Sequence, residues 1–125
     1  MSSTKQTDTM TDNNQYIDIN PNDKIVCVNI TSTYDKNERE DDYDRARHYW
    51  KVSLDKANQA NLVLATVHGI VKAVFKPIRW YLTDSTKYPG TYEFEGEQIF
   101  DSPYIGKCVW NVVNKYTVTF SYINI

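Results

Sequence analysis

At 125 residues and a formal charge of −2, the chain has the length of one domain with a single core. That charge excludes a general nucleic-acid binder, whose lysines and arginines must displace condensed counterions, and two cysteines, Cys27 and Cys108, are too few for a disulfide framework. No apolar run approaches the roughly 18 residues of a membrane span, and the polar N-terminus has no secretory pattern, so the expectation is a cytoplasmic protein with reduced thiols.

Residues 1–23 are dominated by Ser, Thr, Asn, Asp and Gln. Such a segment buries too little apolar surface to offset its ordering entropy and reads as a flexible tail. Its exception is Tyr16-Ile17-Asp18-Ile19, whose alternation offers an edge strand to this subunit or to a neighbouring one. Residues 24–125 read as a single α+β ligand-binding domain. Its first strand is 24–31, KIVCVNIT, which is β-branched and follows a turn-prone Asn-Asp.

A dense run of acids and bases then covers 35–56. Asn37 and Glu40 have the spacing of a capping box and predict a main helix over about 38–49. Acids crowd its first turns and Arg45, Arg47 and His48 its last, the order that complements a helix dipole. Asp41 and Arg45 stand four apart with the acid first, a favourable surface pair. Tyr43, Ala46, Arg47 and Trp50 share one helical face, which points Arg47 inward beside the two rings. A short second helix follows at 53–60, capped by Ser53.

The most apolar part of the chain is 62–80, LVLATVHGIVKAVFKPIRW. Two β-branched runs separated by His68-Gly69 read as a tight hairpin at the centre of the sheet, with Lys76-Pro77 ending its second arm. Residues 83–90 are polar, contain Pro89-Gly90 and read as an exposed loop. In the strand 92–100, Tyr92, Phe94 and Gly96 fall on one face, and Glu93, Glu95 and Glu97 on the other, which is expected to be wet. Gly96 inside a strand signals a bulge or a close approach by another backbone or a ligand. After a turn at Asp101-Ser102-Pro103 comes the segment 104–107, YIGK, and 115–123 alternates as a last strand. The fold class expected is α+β: an antiparallel sheet of five or six strands packed with one main and one short helix.

Catalytic patterns are lacking. There is no glycine-rich phosphate loop, nucleophile elbow or HExxH. Tyr104-Ile105-Gly106 supplies half of a GIY-YIG nuclease signature, but the other half is missing and the order is wrong. His48, His68 and the two cysteines show no paired metal-ligand spacing and read as surface imidazoles and buried thiols; neither metal nor cofactor is expected. What stands out is a set of cations and rings: Arg47, Trp50, Trp80, Phe94, Tyr104, Lys107 and Trp110. Rings stack on a base and cations satisfy phosphate oxygens, so the set suits a pocket for a nucleotide-like ligand. The plainer alternative is that the tryptophans are core and the cations neutralise neighbours.

The ordered motifs Arg47-x-x-Trp50, the 62–80 stretch, Phe94-x-Gly96 and Tyr104-x-Gly106-Lys107-x-Val109 resemble two related settings. One is the domain that follows LEM-3-like GIY-YIG nuclease domains; the other is the Thoeris anti-defence sponge family of phages. The sponge resemblance implies a non-enzymatic homo-oligomer, acting in the cytoplasm of an infected bacterial host. It implies that the protein binds cyclic ADP-ribose isomers, and in some relatives cyclic oligonucleotides, without cleaving them. Matching positions make Arg47, Trp50, Phe94 and Lys107 pocket residues, to which the residue chemistry adds Tyr104 and Trp110. The chain departs from the family pattern at Thr91, since the family has a basic residue three before the phenylalanine and this chain has threonine there. The nuclease-linked setting implies the alternative, a nucleic-acid-associated accessory domain. A structural or inhibitory phage protein that blocks a host protein through its aromatic surface is a third reading.

Overall fold

The hairpin forms the middle of the sheet. In the computed structural model, which describes residues 15–116 and 119–125, β2 (Leu62–Val67) pairs antiparallel with β3 (Ile70–Leu82). His68 and Gly69 both have positive φ, 51° and 81°, the combination a primed type I turn needs. Packing adds a second requirement for glycine, because a Cβ on Gly69 would run into the Trp110 ring.

β1 (Ile25–Asn29) lies against β2, β4 (Tyr92–Ile99) against β3, and β5 (Phe120–Ile123) against β1, giving the order β4-β3-β2-β1-β5. The α+β class and the count of five strands are as expected. An all-antiparallel sheet is not what forms: β1 and β2 run parallel, with Val26 opposite Val63. The cause is the connection between them. It carries three helices, α1 (Thr31–Asp35), α2 (Asp42–Arg47) and α3 (Leu54–Ala57), and a crossover of that length returns the chain in the same direction.

The expected main helix is broken into α1 and α2. Asn37 and Arg39 have φ of 53° and 70°, which no helix accommodates, so the Asn37 cap is not used. Asp41 caps α2 instead, its side chain accepting from the Asp44 N–H at 2.8 Å. Arg45 pairs with Asp42 at 2.7 Å rather than with Asp41. The short helix starts as anticipated, with Ser53 Oγ accepting from the Lys56 N–H.

Side chains alternate along strands, and both faces of this sheet are covered. Val26, Val28, Val63, Ala65, Phe75, Trp80 and Phe94 form one core beneath the helices. Ile25, Cys27, Leu64, Val71 and Val74 form the other, closed by Tyr104, Val109 and Ile17. Ile17 is only 2% exposed, and its N–H donates to the Cys108 carbonyl at 2.9 Å. Residues 15–23, read as the end of a flexible tail, are thus packed against the domain through an apolar side chain; residues 1–14 lie outside the described residues. The alternating patch there bridges to Cys108 instead of joining the main sheet. Likewise the last strand is confined to Phe120–Ile123, and residues 117–118 are not described.

Pro77 does not end β3. The strand continues through a bulge between Pro77 and Arg79, beyond Phe75, where β2 no longer flanks it. Asn58, at the end of α3, accepts the Trp80 N–H there at 3.0 Å. Opposite the bulge, a Cβ on Gly96 would lie 2.6 Å from the Lys76 carbonyl oxygen and 3.0 Å from the Pro77 Cα, so the signal at Gly96 reports a close backbone approach. Gly96→Ala therefore destabilises the protein by roughly 1–3 kcal/mol through overpacking; urea denaturation measures it, and a variant as stable as the wild type contradicts the assignment.

Candidate functional site

The site is built on the outer edge of β4. Tyr43, on α2, lays its ring against Phe75 and Phe94 with centroids 5.6 and 5.8 Å away. Its hydroxyl accepts from the Gly96 N–H at 3.1 Å and donates to the Phe94 carbonyl. Trp50 exchanges two main-chain hydrogen bonds with Tyr92, of 3.0 and 2.7 Å. Edge groups that would otherwise recruit another strand are occupied, and the segment from α2 to Trp50 is fixed in place.

Arg47 leaves α2 at this edge and pairs with Glu93 and Asp44. Glu93 is not on a wet face as expected; it is 7% exposed. Its carboxylate accepts from Arg47, from the Tyr81 hydroxyl at 3.0 Å and from the Thr83 hydroxyl at 2.7 Å. Burial alone would raise the Glu93 carboxyl, but these hydrogen bonds and the Arg47 charge hold it below the usual 4.5. Against its own desolvation, Arg47 is raised by the same pair. The network joins a charge to its counter-charge, which is the condition for burying either.

The six residues expected to form one pocket fall into two groups on opposite faces of the sheet. Arg47, Trp50 and Phe94 lie on the α2 side. Phe94 is fully buried among Tyr43, Phe75 and Trp80, and the Trp50 indole N–H donates to the Ala46 carbonyl at 2.7 Å. Tyr104, Lys107 and Trp110 lie on the segment covering the other face. The Tyr104 hydroxyl donates to Asp23 at 2.6 Å and accepts from the Asn20 N–H at 3.1 Å. Lys107 donates to the Gln15 side chain at 3.0 Å. Trp110, 46% exposed, borders a cavity of about 200 Å³ with Cys27, Thr66, His68, Lys115 and Phe120. Within one chain the sheet separates the two groups.

A different assembly of cations and rings forms beside Trp50. The His48 and Tyr49 rings stack at 3.9 Å with 6° between planes, and Tyr49 stacks on Tyr88 at 4.4 Å and 21°. Lys87 sits over Tyr88 at 5.4 Å, and Arg39 over Tyr49 at 5.3 Å. Two cavities, of about 230 and 440 Å³, open on this stack, and both are walled by Tyr49, Trp50 and Tyr88. Thr91, the position of departure from the family pattern, holds this wall: its hydroxyl donates to the Tyr88 carbonyl at 2.7 Å. His48 is buried rather than a surface imidazole, while His68 is exposed and bonded to Asp35. The signals available in the sequence were the ring run His48-Tyr49-Trp50 and the cation-and-ring pair Lys87-Tyr88.

His48 ties this stack to the protein. Arg39 Nη1 lies 3.1 Å from His48 Nδ1 and donates to its carbonyl at 3.1 Å, and His48 Nε2 faces Asp44 at 3.5 Å. Burial lowers the imidazole pKa, aided by the Arg47 and Arg39 charges. A neutral ring that accepts from Arg39 at Nδ1 and carries its proton on Nε2 fits both neighbours. Among the described residues, no three His, Cys, Asp or Glu side chains gather to hold a metal ion. Both cysteines are buried, and burial pushes the Cys27 thiol up to about 12. No protein-family model, curated protein or solved structure matches the chain, so a functional reading rests on this geometry and on the motifs.

Two predictions follow from the packing and the protonation. Phe94→Ala costs about 3–5 kcal/mol of stability. Phe94→Leu keeps the fold and any ligand binding, because the Phe94 ring walls neither cavity; urea denaturation and thermal shift separate the two effects. The lowered His48 pKa means that the unfolded chain takes up a proton near the ordinary value of 6.5 while the folded chain still resists it. Stability is therefore full above pH 6.5 and falls as pH drops toward the lower folded value. Glu93, also lowered, adds a second loss as pH falls below 4.5. His48→Gln flattens the first limb and leaves the second; superimposable melting curves for the two proteins between pH 6.5 and 5 refute the His48 contribution.

Proposed function

We propose that this chain is a non-enzymatic binding protein that sequesters a small nucleotide-derived cyclic signal, of the cyclic ADP-ribose class, and holds it intact. The observation that carries this reading is the stack His48–Tyr49–Tyr88, with Arg39 beside Tyr49 and Lys87 over Tyr88; Tyr49 and Tyr88 wall two cavities, and Arg39 and His48 line the smaller of them. The rings offer stacking faces to a base. Arg39 uses Nη1 on His48 and has no carboxylate partner among the described residues, so its fork can meet a phosphate bidentately. Lys87 supplies a second cation at the far end.

This cleft stands where the motif resemblance has a binding pocket only in part, since it shares Trp50 but not Arg47 or Phe94. Arg47 is committed to Glu93, and its role is to hold α2 on β4. The action is mass action: the ligand is withdrawn in proportion to protein concentration and affinity, in the cytoplasm of an infected bacterial host. A homo-oligomer, which the resemblance implies, is supported by the exposed Ile78, Leu82 and Phe100 at the β3–β4 arm. No helix among the described residues is long and apolar enough to cross a membrane.

The test is to mix the protein with the products of a TIR-domain enzyme, remove free ligand by filtration, denature with heat and identify what is released. Unchanged ligand, together with a thermal shift equivalent to about 2.7 kcal/mol at a hundred times the dissociation constant, is the expected result. Release of a cleaved product makes the protein an enzyme. No retained ligand, with a salt-resistant gel shift of duplex or single-stranded DNA, favours the nucleic-acid accessory reading instead.

A further inference from the structure

We infer that Tyr88 covers the face of Tyr49 on which the ligand's base stacks when bound. Tyr49 is then the fixed stacking platform and Tyr88 a displaceable wall. The inference rests on the nucleotide reading above and names how the site would accept its ligand.

The two faces of Tyr49 are held very differently. His48 and Tyr88 are both near-parallel to Tyr49, at 3.9 and 4.4 Å. Two rings so close to a third have no room side by side, so they cover opposite faces. His48 is buried and held by Arg39 on one ring nitrogen and Asp44 near the other. The next residue, Trp50, is tied to Tyr92 by two main-chain hydrogen bonds. Tyr49 is therefore anchored through its neighbours on both sides in sequence, and one of its faces is permanently covered.

Thr91 holds the Tyr88 carbonyl, but the Tyr88 side chain has no such support. It belongs to the connection between β3 and β4, is 37% exposed, and its hydroxyl has no hydrogen-bond partner among the described residues. Its side-chain partners are the Tyr49 ring and the Lys87 ammonium. Both cavities are walled by Tyr88, together with Tyr49 and Trp50. The smaller, at about 230 Å³, is below the roughly 300–1,000 Å³ of sites that enclose a small ligand. Turning the Tyr88 side chain aside would enlarge it. A planar base entering on Tyr49 replaces one stacking partner by another of similar area, so the platform loses nothing in the exchange. Its phosphates would then meet Arg39, which lines the smaller cavity. The ligand class this favours is a purine carrying at least one phosphate, with a ring-closed linkage filling the second cavity.

Calorimetric titration of the full chain with cyclic ADP-ribose, linear ADP-ribose and AMP tests this, using wild type, Tyr49→Leu, Tyr49→Phe and Tyr88→Ala. Circular dichroism melts serve as the folding control. The expected result is that Tyr49→Leu weakens the best-bound probe by about tenfold or more, Tyr49→Phe binds as the wild type does, and Tyr88→Ala binds as tightly or more tightly. Binding by Tyr88→Ala where the wild type shows none also supports the proposal. If Tyr88→Ala loses as much as Tyr49→Leu, Tyr88 is a direct wall of the site and the proposal is overturned. If a probe binds and neither substitution matters, the base lies elsewhere and only the nucleotide reading survives. If no probe binds either the wild type or Tyr88→Ala, both readings fall together.

Discussion

Two main-chain hydrogen bonds between Trp50 and Tyr92 hold the features of this protein that bear on function in place. β4 is an edge strand, and an unpaired edge would leave its N–H and C=O groups open to another chain. Trp50 takes the groups of Tyr92, and the Tyr43 hydroxyl takes the next ones, on Phe94 and Gly96. A tyrosine side chain is doing what a neighbouring strand would do. Because both residues belong to one short stretch, α2 and the residues after it are locked relative to the sheet. His48 and Tyr49 lie inside that stretch, so the stacked wall of the cleft inherits its position from the edge closure.

The same edge explains why an arginine beside two rings is not a ligand-binding arginine. Arg47 points at β4, as its helical face predicts, but β4 presents Glu93 there. A carboxylate with 7% exposure must be paired or lose its charge, and Thr83, Tyr81 and Arg47 together supply its hydrogen bonds. Withdrawing Arg47 to meet a phosphate would strand that carboxylate. Arg39 carries no such obligation, since its partners are a neutral imidazole nitrogen and a carbonyl. Between the two arginines, the cost of leaving the present partner decides which can serve an incoming anion.

How far the sequence alone reaches can be judged residue by residue. The hairpin at His68-Gly69 was legible because two local signals agree, apolar β-branched arms and a glycine at a position of positive φ. Gly96 was legible for the same kind of reason, a residue out of place in a strand. The helix was not: Asn37 and Glu40 have the spacing of a cap, yet Asp41 wins, and Arg39 sits at a φ of 70° that no local rule demands of an arginine. Glu93 alternates with Phe94 as an outward residue should, and only the tertiary approach of Arg47, Tyr81 and Thr83 makes it a buried one. The parallel pairing of β1 with β2 follows from the length of the helical connection, whereas alternation within each strand carries no information on the direction of its neighbour. For the site, cations and rings were grouped by residue type alone, and the sheet divides them because Phe94 and Tyr104 belong to different cores.

Beside Trp110 and beside Tyr49, two of the hollows among the described residues are lined by different chemistry. In the hollow beside Trp110, His68 is bonded to Asp35 at 2.9 Å, Lys115 lies over Tyr116, and the lining is rich in hydroxyls such as Thr66 and Ser121. No carboxylate belongs to that lining; Asp35 reaches it only through His68, and the Lys115 ammonium is turned to the Tyr116 ring. At Tyr49 the carboxylate nearest the stack, Asp44, faces the far side of His48 and is already shared with Arg47. Neither Arg39 nor Lys87 has a carboxylate within ion-pair distance among the described residues, and Arg39 lines the smaller cavity there. In a protein whose formal charge is −2, that local imbalance, rather than any general basicity, is what would draw a compact phosphate-bearing ligand to one place and leave long nucleic acids unattended, since these need many cations in a row to release their counterions.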